Sequence, residues 1–138
     1  MEGQNEKPIR KPLEVFPVAV VEVPEETEEP GGPAVKRIRV FPEYESALDG
    51  VEGLTHLTVL YWMHRLDPAE RRRLRVHPRG DRSRPKQGVF ALRSPMRPNP
   101  IGVTTVRLRR REGLLLYVEG LDALDGSPVI DIKYGRTE

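Results

Sequence analysis

Pro95, Pro98 and Pro100 stand close together and constrain this chain more than any other local feature. Each ring holds φ near about −65° and removes a backbone donor. Each also turns the residue before it, Ser94, Arg97 or Asn99, away from helical conformation. The segment Arg93-Ser94-Pro95-Met96-Arg97-Pro98-Asn99-Pro100-Ile101-Gly102 is therefore expected to be a stiff, extended loop. It would display Arg93, Arg97 and Asn99 at set angles, and Gly102 would permit a sharp turn or a close approach to a ligand. Such a loop can simply join two strands, or it can be a prearranged site. Two arginines and an asparagine on it favour the site.

On either side of this loop the pattern is β. Val15–Val23 is β-branched and reads as a strand interrupted by Pro17. Val35–Phe41 sets Val35, Ile38 and Val40 against Lys36, Arg37 and Arg39, close to strand alternation. Leu54–Met63 is a nearly continuous apolar run, and its Thr, Val, Tyr and Trp content favours a buried strand. Gly88–Leu92 and Val129–Lys133 read as further strands. Val103–Arg109 and Leu114–Glu119 flank Arg110-Arg111-Glu112-Gly113 as a hairpin. Helix is scarce. Tyr44–Leu48 suggests a short helical turn. Asp67-Pro68-Ala69-Glu70 reads as a capped helix start, with a helix running to about Leu74. The expected fold is mostly β: a small single-domain barrel with one or two short helices. No glycine-rich turn joins a strand to a helix, which argues against a Rossmann-type cofactor site. Of the 138 residues, 1–12 are expected to be a polar, frayed leader and 13–138 the barrel domain.

Charge separates the chain into two parts although its net value is only +2. Glu25, Glu26, Glu28 and Glu29 make the early part acidic, and Arg71–Arg97 is densely basic with Asp81 as its one acid. Within the basic part, Arg75-Val76-His77-Pro78-Arg79-Gly80-Asp81 continues through Arg82, Arg84 and Lys86 without periodicity, so a long loop is expected. An arginine fork binds two phosphate oxygens at once, and contacts of that kind hold RNA in a salt-dependent way. A merely solvated basic loop has the same composition. The chain contains no cysteine, which removes disulfides and thiolate metal sites. His56, His64 and His77 lack metal-ligand spacing, so no metal is expected. No apolar run is long enough to span a bilayer, and no membrane role is expected. A soluble cytoplasmic protein is the default.

Two further segments carry possible chemistry. In Glu119-Gly120-Leu121-Asp122-Ala123-Leu124-Asp125-Gly126, Asp125-Gly126 is a common turn, whereas a carboxylate nearby could accept from ribose hydroxyls or an amino group. Asp131 and Lys133, two apart on one strand face, could simply face water. His64-Arg65 follows the apolar strand, where a lone histidine is most often structural.

Together these segments resemble the TrmO family, also called TsaA-like or VirR-like. The resemblance is carried by Phe41-Pro42-Glu43-Tyr44, Gly53-Leu54-Thr55-His56-Leu57, His64-Arg65, Arg75-Val76-His77-Pro78-Arg79-Gly80, Gly88–Pro95, Arg97-Pro98-Asn99-Pro100-Ile101-Gly102, and Leu121-Asp122 through Lys133. It implies a dimeric, non-Rossmann β-barrel methyltransferase that uses S-adenosylmethionine. The implied substrate is N6 of the threonylcarbamoyl-adenosine beside the anticodon of certain tRNAs. By the same resemblance, cofactor contacts fall at Pro30-Gly31, His64, Arg65, Arg93, Val103 and Glu119-Gly120-Leu121-Asp122. The chain departs from the family pattern at Glu22-Val23-Pro24, Leu92 and Met96, where Arg-Ser-Pro, Thr and an aromatic residue are usual.

Transfer to an exocyclic amine needs alignment and an acceptor for the amine hydrogens. Asn99 is the candidate for that catalytic role and Asp122 for the cofactor's ribose or amino group. Arg97, with Arg75, His77, Arg79, Arg82, Arg84 and Lys86, is the candidate set for RNA. A non-catalytic RNA- or nucleotide-binding barrel, or a small-molecule methyltransferase, would use the same features.

Overall fold

The computed structural model describes residues 10–136. The leader expected over 1–12 therefore lies outside the described residues up to residue 9. The described residues form eight strands: β1 (Ala19–Glu22), β2 (Val35–Val40), β3 (His56–Trp62), β4 (Arg75–Val76), β5 (Gln87–Gly88), β6 (Ile101–Glu112), β7 (Leu115–Glu119) and β8 (Pro128–Tyr134). A single α-turn, α1 (Pro68–Arg71), follows β3, and short 3-10 turns cover Pro42–Leu48, Val51–Gly53, Pro78–Gly80 and Val89–Ala91. Six strands close into a barrel in the order β1-β2-β7-β6-β3-β8, and β4 and β5 form a separate ribbon. All pairings are antiparallel. The mostly-β barrel expected from the sequence is the fold.

The barrel closes because apolar residues, alternating along β1, β3 and β7 and less regularly along the other wall strands, share one interior. Leu57, Val59 and Tyr61 of β3 point inward, and Ala19, Val21, Ile38, Val106, Leu116, Val118 and Val129 meet them. The segment after β7 folds over this core, burying Leu121 and Ala123. Ladder register shifts between Leu108 and Arg110, a bulge of the kind that lets a long strand bend around a barrel corner. Among the described residues no helix is long and apolar enough to cross a membrane.

Several boundaries differ from the sequence expectation. The first strand begins at Ala19 rather than Val15, and Leu13, Val15 and Phe16 are exposed. Pro17 cannot donate to a ladder, and pairing with β8 starts at the Val18 amide, which donates to the Val129 carbonyl at 2.8 Å. The capping box on Asp67 and Glu70 forms, but the helix ends at Arg71, not Leu74. The hairpin turns at Gly113 and Leu114, beyond the last pair Glu112↔Leu115. Arg110 and Arg111 stay in strand, their guanidiniums satisfied by Glu28 and Glu52.

The stretch Gly88–Leu92 is not a strand. Only Gln87–Gly88 pairs, with Arg75–Val76, and Val89–Ala91 is a 3-10 turn. The Val89 amide donates to the Leu74 carbonyl at 2.9 Å and the Leu92 amide back to Val89 at 3.1 Å, so the chain curls instead of extending.

Candidate functional site

The proline loop is braced from three sides. Arg97 folds back on it, donating from Nη1 to the Leu92 and Ser94 carbonyls at 3.2 and 2.9 Å. Arg71 of α1 donates from Nε to the Pro98 carbonyl at 2.9 Å while its guanidinium lies 5.2 Å from the Trp62 ring centre. Pro100 is fully buried, and its carbonyl accepts from Met63 at 2.8 Å. Asn99 stands exposed between these anchors, and its carbonyl accepts from Ile101 at 2.7 Å. The stiff loop expected from the prolines is present, with Arg97 as its internal brace.

Gly102 has a different reason from the one expected. It pairs with Tyr61 across β3 and β6, and a side chain there would collide with the tyrosine ring. The Tyr61 hydroxyl donates to the Asp122 carbonyl at 2.6 Å, which leaves its oxygen to accept from Thr104 at 3.2 Å. Burial pushes the Tyr61 phenol above its usual range, so it stays a donor. The backbone of Asp122 is thus pinned and its carboxylate faces outward.

Two contacts touch segments that carry residues expected at the cofactor. His64 places Nδ1 3.5 Å from Ser127 Oγ, at the limit of a hydrogen bond, on the turn that follows Asp122. Arg109 lies within 3.4 Å of both Glu29 and Glu119. It therefore ties the loop carrying Pro30 and Gly31 to the end of β7, where Gly120, at φ 89°, starts the turn into Leu121 and Asp122. Val103 is 45% exposed, next to Thr104 on β6. Arg65 is exposed beside His64, and Leu121 is buried, so it offers backbone only. Exposed and half-buried carboxylates, a histidine and an arginine on this rim suit the hydroxyl, amino and carboxylate groups of S-adenosylmethionine.

Arg93, the remaining cofactor candidate, stands at the start of the proline loop. It lines a cavity of about 880 Å³ together with Arg73, Arg75, His77, Arg79, Arg82, Arg84 and Lys86. The expected RNA set is thereby gathered on one concave surface, except for Arg97. The cavity is shaped from within. His77 donates from Nδ1 to the Arg84 carbonyl at 2.8 Å. Asp81 accepts from the Ser83 amide and hydroxyl at 2.9 and 2.6 Å, which holds its carboxyl below the usual range. Arg79 sits at φ 52°, the one described non-glycine residue with positive φ.

Arg71, Tyr61 and Thr104 were missed at the sequence level. The capping box could have located Arg71, since it sets the direction of α1. Nothing local marks Tyr61, whose partner is far along the chain.

Residues 21–135 match the family model for the tRNA-methyltransferase O N-terminal domain. A Methanothermobacter thermautotrophicus protein described as a probable S-adenosyl-L-methionine-binding protein is 50% identical over 128 residues, 88% of each chain. A mouse tRNA (adenine(37)-N6)-methyltransferase is 38% identical over 97 residues, covering 70% of this chain and 22% of the mouse protein. The crystal structure of TrmO from Pseudomonas aeruginosa superposes with a TM-score of 0.66 at 30% identity, over 90% of this chain. This chain spans little more than half, 56%, of that solved chain. The barrel, the braced proline loop and these matches have one conclusion: the chain belongs to the TrmO N-terminal domain family.

Proposed function

We propose that this protein binds S-adenosylmethionine and methylates N6 of a tRNA adenosine beside the anticodon, the adenosine carrying a threonylcarbamoyl group. One observation carries the proposal. The braced loop begins at Arg93 in the basic cavity and ends at Asn99, next to the end of β3 that bears His64. One rigid segment thus connects an anion-binding surface to the rim where Asp122 is pinned. The names of the relatives, S-adenosylmethionine-binding proteins and a tRNA adenine methyltransferase, support both halves.

When bound, the cofactor supplies an electrophilic methyl group on a sulfonium. The chain's own residues do the rest. Glu119 and Asp122 accept from hydroxyl or amino groups, Arg65 meets a carboxylate, and His64 and the Pro30-Gly31 loop border the same rim. The Asn99 amide oxygen accepts a hydrogen from the adenine amine and fixes its direction. That matters because the amine lone pair is delocalised and reacts only when well aligned. The cations around the basic cavity hold phosphates and supply most of the RNA affinity.

The test is mass spectrometry of nucleosides from tRNA incubated with the protein and methyl-labelled cofactor. Label in N6-methylated adenosine, and its dependence on threonylcarbamoylation, is the expected result. Label on another base overturns the assigned position. Cofactor binding by calorimetry without transfer supports a binding module instead.

A further inference from the structure

The curl at Val89–Ala91 has a consequence for the face beside it. A strand would have laid Phe90 along a sheet, whereas the turn throws it outward. Phe90 is 84% exposed, the highest value among the exposed large apolar side chains described. Its base is rigid, because Val89 is 2% exposed and hydrogen-bonded to Leu74. Phe90 also lies between two segments that line the basic cavity: the ribbon bearing Arg75 and the loop starting at Leu92 and Arg93.

We infer that Phe90 is a stacking platform for an unpaired base of the bound RNA. This rests on the RNA substrate proposed above. An exposed phenyl ring on an anchored turn, flanked in the chain by segments that carry arginines, is the kind of surface on which proteins stack bases splayed from single-stranded loops. Every charged side chain lining the neighbouring cavity is an arginine or a lysine, set among apolar residues such as Val76, Leu92 and Met96. A second copy docking the same face here would set like charges against each other, whereas a polyanion with exposed bases satisfies both the charge and the ring. Leu74, 60% exposed and joined to the same turn, widens the apolar platform.

The test measures binding of the full chain to a synthetic RNA hairpin with a seven-base loop (about the size of an anticodon loop) and to a blunt RNA duplex, by fluorescence anisotropy at several salt concentrations. Phe90→Ala is expected to weaken hairpin binding about five- to a hundredfold. Duplex binding and the salt slope should not change. Phe90→Trp should keep hairpin affinity, and Phe90→Leu, which is apolar but has no π-face, should lose it. Parental hairpin affinity in Phe90→Ala or Phe90→Leu overturns the inference. So does sedimentation showing that Phe90→Ala turns a dimer into a monomer, since the face would then be a contact between copies. Failure of Phe90→Ala alone leaves the RNA reading standing. If the parent binds neither RNA, that reading fails and takes this inference with it.

Discussion

The Tyr61 ring occupies the space a side chain at Gly102 would need: a Cβ there would lie 2.4 Å from Tyr61 Cζ. The two residues face each other across β3 and β6, and the tyrosine hydroxyl goes on to hold the Asp122 carbonyl. The glycine at the end of the proline loop therefore serves the core, an aromatic ring covering a glycine in a curved sheet. Through Tyr61 it also sets where the Asp122 loop sits.

Gly102→Ala should destabilise the fold by about 1–3 kcal/mol, the usual cost of forcing atoms into a packed interior. Urea unfolding measures this. Displacement of Tyr61 should also weaken S-adenosylmethionine binding by calorimetry. Unchanged affinity would show that the Asp122 loop is held by other contacts.

Tyr61→Phe removes the bond to Asp122 and should cost about 0.5–1.5 kcal/mol. It should also change the alkaline limb. The Tyr61 pKa is raised in the folded state from 10.0, first by burial. Its contribution is therefore complete below pH 10 and lost as pH rises through the higher folded value. Chemical denaturation of the parent across that window should show a loss of stability that is smaller in Tyr61→Phe.

Asn99→Ala should lower the single-turnover methylation rate about a hundredfold with cofactor and RNA saturating. The side chain is exposed and the loop is braced by other residues, so the melting temperature should stay near that of the parent. A full rate in this variant would remove Asn99 from the chemistry.

Arg79→Gly separates strain from charge. Glycine relieves the left-handed conformation but enlarges the entropy of the unfolded chain, so stability should change by less than about 1 kcal/mol. RNA affinity should fall, and the slope of log affinity against log salt should drop by about one phosphate contact. An unchanged slope would place Arg79 outside the RNA contacts.

Glu22→Gln should flatten the acid side of the stability curve. Arg39 donates to both Glu22 oxygens at 2.7 and 3.2 Å and holds that carboxyl below 4.5. A group lowered in this way contributes stability above its unfolded pKa, and the contribution disappears as pH falls through the folded value. Denaturation midpoints measured between neutral pH and pH 3 should fall less steeply in the variant.

What could be read from the amino-acid order was local. Proline geometry determined the stiff loop at Arg93–Gly102. β-Branched and continuous apolar runs, with alternation at Val35–Phe41, determined most wall strands, and Asp67 with Glu70 determined the capping box. Each depends on residues within a turn or a strand of one another. The tertiary structure decided the rest. Whether Gly88–Leu92 extends or curls depended on the Leu74 carbonyl, which its own propensity does not encode. Arg93 joined Arg75, Arg79 and Arg84 in one basic cavity because the fold brings the proline loop beside the β4–β5 ribbon. Arg97 turned inward because the loop's own carbonyls required a donor. Tyr61 reached Asp122, 61 residues away, only because the barrel closed in the order β1-β2-β7-β6-β3-β8. Register between strands distant in sequence follows from how the whole interior packs, and no single segment contains that information.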